Sequence, residues 1–165
     1  MFGDSRIPEG VRRSFVSDDP LRDSHAAGIA CEWIDGASPY RTYLCLYTDG
    51  AASYVIRKEF RFRRTRDGVE PCGLWDGRIE VRREYVERQL SRFTSQGVWH
   101  ISNEYAERGF IDGEWYVVKV KDITREHIAY LYCPDSSGKR ELVSLKRTID
   151  RLMRRPRKYF ERLSP

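Results

Sequence analysis

Histidine, cysteine and carboxylate side chains could carry catalysis or metal binding in this chain, but the sequence disperses them. The three histidines, His25, His100 and His127, lack the i, i+4 spacing of metal ligands on a helix. The four cysteines lie 14, 27 and 61 positions apart, so none forms the C-x-x-C pair of a zinc or redox site. Cys133 and His127 share a predicted strand, which would hold them about 20 Å apart and excludes a nucleophile–base pair. A Cys133–His100 pair is left open.

Carboxylates cluster around one predicted turn, at Glu104, Glu107, Asp112 and Glu114. Two carboxylates held together can perform acid–base catalysis. An ordinary turn competes with that explanation, because Asp-Gly pairs are typical of turns and Asp stabilises them through its own side chain. The sequence contains no motif of serine hydrolases, zinc proteases, P-loop proteins or dinucleotide-binding folds. We therefore expect no catalytic residue, metal or cofactor, with a site of His100, Glu104 and Asp112 as a minor alternative.

Two hairpins are predicted from Asp-Gly turns and from runs of β-branched and aromatic residues. The first joins a strand at 41–48 through Asp49-Gly50 to a strand at 53–63. The second joins a strand at 114–121 through residues 123–125 to a strand at 126–133. Residues 29–34 could add a strand before the first hairpin. Hairpin strands without an intervening helix pair antiparallel.

Helical periodicity appears in residues 82–96 and 139–153, where apolar side chains recur at i, i+4 and i+7. Gly97 is a natural stop for the first helix, Ser137 an N-cap for the second, and Pro156 a break after it. The predicted order is β-β-α-β-β-α. It indicates an α+β fold in which two helices pack on an antiparallel sheet.

Composition favours one globular domain, with 165 residues of which 40% are hydrophobic and 33% charged. We expect a flexible arm at residues 1–25, a domain at 26–155 and a basic tail at 156–165. The chain has neither an 18-residue apolar run nor a signal-peptide pattern, which predicts a soluble, cytoplasmic protein. The net charge of +5 is local: residues 139–165 carry +7, residues 57–66 carry +5, and the remainder carries −7.

Aromatic and basic side chains are the candidates for binding. Strand alternation places Tyr43 with Tyr47, and Tyr130 with Tyr132, on one face each, either as a contact surface or buried under the N-terminal arm. Trp99 and Trp115 are expected in the core at the helix–sheet junction. For a protein partner we predict a surface of Tyr47, Tyr54, Arg61, Arg64 and Trp75. The alternative partner is nucleic acid, bound by segments 57–66 and 147–162 through Arg57, Lys58, Arg63, Arg66, Arg154, Arg155, Arg157 and Lys158.

One further pattern runs from F-T-S-Q-G-V-W at 93–99 to D-G-E-W at 112–115, followed by a closing strand that ends in Cys133-Pro134. It is similar to a pattern in small uncharacterised bacterial proteins that resemble the immunity proteins accompanying interbacterial toxins. The resemblance covers residues 40–152 roughly. It implies a non-enzymatic inhibitor that occludes a toxin partner, with no catalytic residues to carry over.

Overall fold

The computed structural model describes Ile7, Val11 and residues 19–35, 41–74, 77–104 and 113–165, without the side chains of 60–65 and 68–74. The strands are β1 (Ala26–Asp35), β2 (Arg41–Asp49), β3 (Ala52–Thr65), β4 (Gly68–Leu74), β5 (Arg78–Glu80), β6 (Glu114–Lys121) and β7 (Glu126–Tyr132). The helices are α1 (Arg83–Ser95), α2 (Arg140–Met153) and α3 (Arg157–Glu161). Short 3-10 turns occupy Pro20–Arg22, Val98–His100 and Pro134–Ser137.

The strands form one antiparallel sheet in the order β4-β3-β2-β1-β6-β7, and β5 pairs with β3 beside β4. This confirms the predicted α+β fold, both hairpins and the additional strand before them. That strand, β1, is central because it pairs with β2 on one side and β6 on the other. Gly28 lies where a Cβ would come within 2.0 Å of the Leu46 carbonyl oxygen, so this position of β1 requires glycine.

The helix ends follow the predicted signals at two of three positions. Gly97 adopts a left-handed conformation (φ 79°) just after α1, which only glycine does without cost. Pro156 separates α2 from α3. Ser137 is not the N-cap of α2, as the sequence predicted. It lies in the preceding 3-10 turn, where its hydroxyl accepts from the backbone N–H of Lys139, the actual N-cap residue, at 3.1 Å.

The main core lies between the sheet and the helices. Alternate residues of the strands, including Ile29, Leu44, Val55 and Val118, pack there against the apolar faces of α1 and α2. The prediction that Trp115 joins the helix–sheet junction is wrong about the face: Trp115 is buried in a cluster on the opposite side. Its neighbour Tyr116 packs in the main core instead and donates a 2.6 Å hydrogen bond to Asp150 of α2.

The second face of the sheet is also buried. Two clusters occupy it, one around Leu21, Tyr43 and Tyr47 and the other around Ile7 and Trp115. Of the two alternatives for the tyrosine face, burial under the N-terminal segment therefore holds for Tyr43 and Tyr47. Leu21, which belongs to the 3-10 turn before β1, is the residue of that segment that packs on them.

Polar contacts attach the same segment to the sheet. Asp19 accepts a 2.7 Å hydrogen bond from Lys119 of β6, and both side chains are almost fully buried. The ammonium of Lys121 donates to the backbone carbonyls of Leu21 and Asp23. Residues 19–25, the described end of the predicted arm, are thus docked. At the other terminus Phe160 is fully buried in the main core, so residues 156–165 belong to the packed domain as well.

Candidate polyanion-binding surface

Helix α2 has one apolar and one basic face. Leu142, Leu145, Ile149 and Leu152 are buried beneath it, as the helical spacing predicted. The opposite face exposes four arginines at intervals of seven, four and three residues. We call Arg140, Arg147, Arg151 and Arg154 the arginine stripe. At the helical rise it extends about 21 Å along α2 and its C-cap.

The arginines of the stripe differ from Lys146 of the same helix in their partners. Lys146 lies 2.8 Å from Asp150 and 3.3 Å from Asp135. Partial burial lowers the pKa of its ammonium, but the hydrogen bonds and charges of these two carboxylates outweigh that effect and raise the pKa above its usual value. Within the described part of the chain, no carboxylate forms an ion pair with an arginine of the stripe. Their guanidinium groups are therefore available to an external anion.

The C-terminal end of α2 meets strand β3. Arg57 of β3 donates a 2.7 Å hydrogen bond to the backbone carbonyl of Arg155 and forms an ion pair with Glu59. Arg155 stacks on Tyr159 of α3, with its guanidinium carbon 4.5 Å from the ring centre. Among the residues predicted to contact nucleic acid, Arg57 and Arg155 are therefore internal braces. They join the stripe to β3.

Strand β3 pairs with β4 along its second half. The last described pair of β3 with β2 is Phe60 opposite Arg41, next to residues 36–40, which lie outside the described part of the chain, and the pairing with β4 continues to Thr65 opposite Gly68. We call residues 61–65 and 68–72 the ribbon, which is about 17 Å long. The ribbon carries Arg61, Arg63 and Arg64, and Arg66 is exposed in its turn.

Of the remaining basic residues of the prediction, Arg157 and Lys158 are exposed and Lys58 is not. Arg157 and Lys158 lie on the exposed side of α3, where Arg157 pairs with Glu161 at 2.7 Å. Lys58 is half-buried in β3. On α1, Arg92 is also exposed, and Arg88 lies close enough to Tyr85 to influence its hydroxyl, as Arg155 does. The sequence prediction did not include Arg88, Arg92 or Arg140.

Of the predicted protein-binding residues, the structure describes the side chains of Tyr47 and Tyr54, which pack together. Tyr47 is 4% exposed and packs on Tyr54, with ring centres 5.4 Å apart. Tyr54 is half-buried, and the exposed guanidinium of Arg78 lies 4.6 Å above its ring. The backbone of Arg61 and Arg64 belongs to the ribbon, and their side chains lie outside the described structure. Trp75 lies outside the described residues.

The described structure offers no support for the minor alternative of a catalytic site at His100, Glu104 and Asp112. Glu104 forms an ion pair with Lys139, His100 is exposed, and Asp112 lies outside the described residues. His127 donates from Nε2 to the Ile101 carbonyl at 2.8 Å. Among the described residues, no group of three His, Cys, Asp or Glu side chains is arranged to hold a metal ion. No described helix is long and apolar enough to cross a membrane.

The turn between β6 and β7 presents one large apolar side chain to solvent. Ile123, in the turn between β6 and β7, is 85% exposed. Asp122 fixes this turn, since its carboxylate accepts from the backbone N–H groups of Thr124 and Arg125 at 2.8 and 3.0 Å. The guanidinium of Arg125 lies 3.8 Å over the ring of Trp99. Sequence reasoning missed this group, because the contact between Arg125 and Trp99 joins residues 26 positions apart.

No protein-family model, curated protein or solved structure matches this chain at a significant level.

Proposed function

We propose that this protein binds nucleic acid through the arginine stripe. The observation that carries the proposal is the alignment of four exposed arginines on one helix face, without carboxylate partners among the described residues. Arginine forms bidentate, charge-assisted hydrogen bonds to phosphate oxygens. Arginines at one-turn to two-turn intervals can follow a phosphate backbone, whose neutralisation releases condensed counterions and supplies most of non-specific affinity.

Replacement of Arg147, Arg151 and Arg154 by Gln tests this function. We expect at least a tenfold loss of affinity for labelled oligonucleotides in fluorescence anisotropy at 50 mM salt. The slope of log affinity against log salt should also fall by about 0.9 for each lost phosphate contact to duplex. The three substitutions lie on the solvent face of α2, so thermal unfolding should be little changed.

The matched control replaces Arg22, Arg78 and Arg125 by Gln. These arginines are exposed and lie outside α2 and its C-cap, and their loss changes the net charge by the same amount. The control should keep its affinity within about twofold, because its substitutions leave all four arginines of the stripe in place. An equal loss in both variants would attribute binding to net charge alone and contradict the proposal. Absence of binding to any DNA or RNA at low salt would also contradict it.

The second candidate function is that of an immunity-type inhibitor bound to a protein toxin. Its support is the resemblance carried by the motifs at 93–99 and 112–115, together with the exposed side chains of Ile123 and Arg125 beside the half-buried Trp99. Trp, Tyr and Arg are the side chains that contribute most to interface energies. The nucleic-acid function takes precedence because Tyr47, one of the five residues of the predicted protein-binding surface, is buried.

A purified complex would test the inhibitor function directly. The double variant Ile123→Asp, Arg125→Glu should weaken a complex isolated from native cells by more than tenfold. Arg61→Glu with Arg64→Glu tests the surface predicted from the sequence in the same assay, and Ser91→Asp on the exposed side of α1 is the control. Unchanged affinity in both double variants would remove both surfaces from consideration.

A further inference from the structure

We infer that the nucleic acid crosses the groove between α1 and α2, so that Arg88 and Arg92 of α1 contact its phosphates together with the arginine stripe of α2. The inference rests on the proposed nucleic-acid function and adds a second helix to the binding surface. Three features of the described residues support it: the alignment of the two helices, the exposed arginines of α1, and a hydroxyl group that lies between the two sets of arginines.

Contacts near both ends of α1 place it beside α2, with the two helices running in opposite directions. At the C-terminal end of α1, the side-chain amide of Gln96 donates to the hydroxyls of Ser144 and Thr148 of α2, at 3.2 and 2.9 Å. Near the N-terminal end of α1, Tyr85 packs edge-on against Tyr159 of α3, which follows α2, with ring centres 6.3 Å apart. The axes of packed helices are about 8 to 10 Å apart. The exposed side chains along the two facing edges therefore border one groove.

Arg88 and Arg92 lie on the edge of α1 that faces α2. Residues four positions apart are neighbours on one face of a helix, so Arg92 lies between Arg88 and Gln96 on the edge that contacts α2. The position of Arg88 has independent support. Burial raises the pKa of the Tyr85 hydroxyl, whereas the positive charges of Arg155 and Arg88 act to lower it. The two guanidinium groups thus approach the same hydroxyl, one from each side of the groove.

The arginines on this edge of α1 carry charge that the described protein does not neutralise. Arg88 and Arg92 are both exposed, and no described carboxylate forms an ion pair with either. Of the two acidic residues of α1, Glu87 pairs with Arg83 at 3.2 Å, and Glu84 lies in the first turn, where the helix dipole favours a negative charge. Charges of one sign along both sides of a groove concentrate a positive potential within it. A phosphate in the groove experiences both sets of arginines.

A hydroxyl group between the two sets of arginines can donate to the same phosphate. Ser144 is exposed on α2, and its oxygen accepts the hydrogen bond from Gln96, so that its own O–H is directed to a different acceptor. The hydroxyl of Thr148, in contrast, donates to the Ser144 carbonyl at 3.2 Å. Arg147 lies one turn after Ser144 on α2, and Arg92 lies one turn before Gln96 on α1. A phosphate at Ser144 would therefore receive charge-assisted hydrogen bonds from both helices.

Two variants of the groove test the inference by fluorescence anisotropy with labelled oligonucleotides at low salt. Arg88→Gln with Arg92→Gln should lower the affinity at least fivefold and reduce the salt slope for duplex by about 0.9 for each lost phosphate contact. Ser144→Ala should lower the affinity by about two- to threefold without changing the slope, because a neutral hydroxyl releases no counterion. All three substituted side chains are exposed, so thermal unfolding should be little changed.

The matched control is Arg22→Gln with Arg78→Gln, which removes the same charge as the double variant of α1. Arg22 adjoins Leu21, and the guanidinium of Arg78 lies over Tyr54, both of which pack on the other face of the sheet. The control should therefore keep its affinity within about twofold, because every arginine of the groove is retained. A loss in the control equal to that in the double variant of α1 would attribute the effect to net charge and overturn the inference.

The remaining outcomes separate this inference from the function on which it rests. Wild-type affinity in both groove variants, with weakened binding when Arg147, Arg151 and Arg154 are replaced, would overturn the inference and leave nucleic-acid binding by α2 in place. Absence of binding by the wild-type protein to any DNA or RNA would overturn the proposed function itself. Losses in both groove variants, with a smaller salt slope in the arginine variant alone, would support a backbone that crosses from one helix to the other.

Discussion

Arginine serves two purposes in this protein, and its neighbours determine which. Arg57 is half-buried and braces the end of α2 against β3 through the carbonyl of Arg155. Arg147 and Arg151 are exposed, and no described carboxylate pairs with them. Loss of a brace leaves buried polar groups without their hydrogen bonds and reduces stability. Loss of an exposed arginine removes a charge from the surface and should affect binding alone.

The stability of the β6–β7 turn, which exposes Ile123, depends on pH because of Asp122. Its side-chain hydrogen bond from Thr124, together with backbone N–H donors and Arg125, lowers the pKa of the carboxyl from 3.8 to about 2. A folded-state pKa below the unfolded value stabilises the fold above the unfolded pKa, and this contribution disappears as pH falls through the folded pKa. We therefore expect Asp122→Asn to lower the free energy of unfolding at pH 6, with the difference vanishing between pH 4 and pH 2. Urea unfolding across that range measures it.

Thr124→Val supplies the companion measurement for Asp122. This variant removes the hydroxyl donor at 2.7 Å but keeps the backbone donors, so its loss of stability should be smaller and follow the same pH dependence. Identical stabilities of wild type and Asp122→Asn at pH 6 and pH 2 would show that the turn does not depend on this carboxylate.

The elements of the fold that the sequence predicted are those with a hydrophobic periodicity or a turn signal. Helices α1 and α2 and strands β2, β3, β6 and β7 have clear hydrophobic patterns, and all are confirmed. Strand β4 was missed because Pro71 and Gly73 argue against a strand, yet both are tolerated on an outer strand, and among the described strands β4 pairs with β3 alone. Strand β5 is three residues long, too short for any periodicity. The assignment of Trp115 to the wrong face arose because two adjacent aromatic residues leave the alternation of β6 ambiguous.

The candidate site was predictable in its composition but not in its arrangement. The excess of basic residues in segments 57–66 and 147–162 is visible in the sequence, and so is the helical spacing of Arg147, Arg151 and Arg154. Which basic side chains are braced internally depends on contacts across 98 residues, as between Arg57 and Arg155. That property has no local signal.

At the scale of the whole molecule, both faces of the sheet are covered, but by different means. Three helices cover one face with a large apolar core. The other face is covered in part by the segment before β1, where Leu21 is the apolar anchor and the polar contacts of Asp19, Lys119 and Lys121 complete the attachment. The charge is divided as well: the basic ribbon and stripe belong to β3, β4 and α2. The N-terminal segment instead meets Lys119 and Lys121 with a carboxylate and carbonyl groups.

The Asp19–Lys119 pair should therefore be a major determinant of stability. The side chains of Lys119 and Asp19 are 7% and 0% exposed, and removal of one partner of such a pair leaves an uncompensated buried charge. Lys119→Met and Asp19→Asn should each lower the free energy of unfolding by about 3 kcal/mol in urea titrations. The double variant Asp19→Leu, Lys119→Met should lose less than the sum, because two apolar side chains leave no charge unpaired.

Glu126→Gln separates the buried pair from its exposed neighbour. Glu126 lies 3.4 Å from the same ammonium but its side chain is 44% exposed, so its removal should cost less than about 1 kcal/mol. Fluorescence of Trp115, which lies on the covered face, should shift to longer wavelength in Lys119→Met if the segment before β1 detaches. A loss below 1 kcal/mol in both single variants, with unchanged fluorescence, would mean that Leu21 and its apolar contacts hold the segment and that the ion pair contributes little.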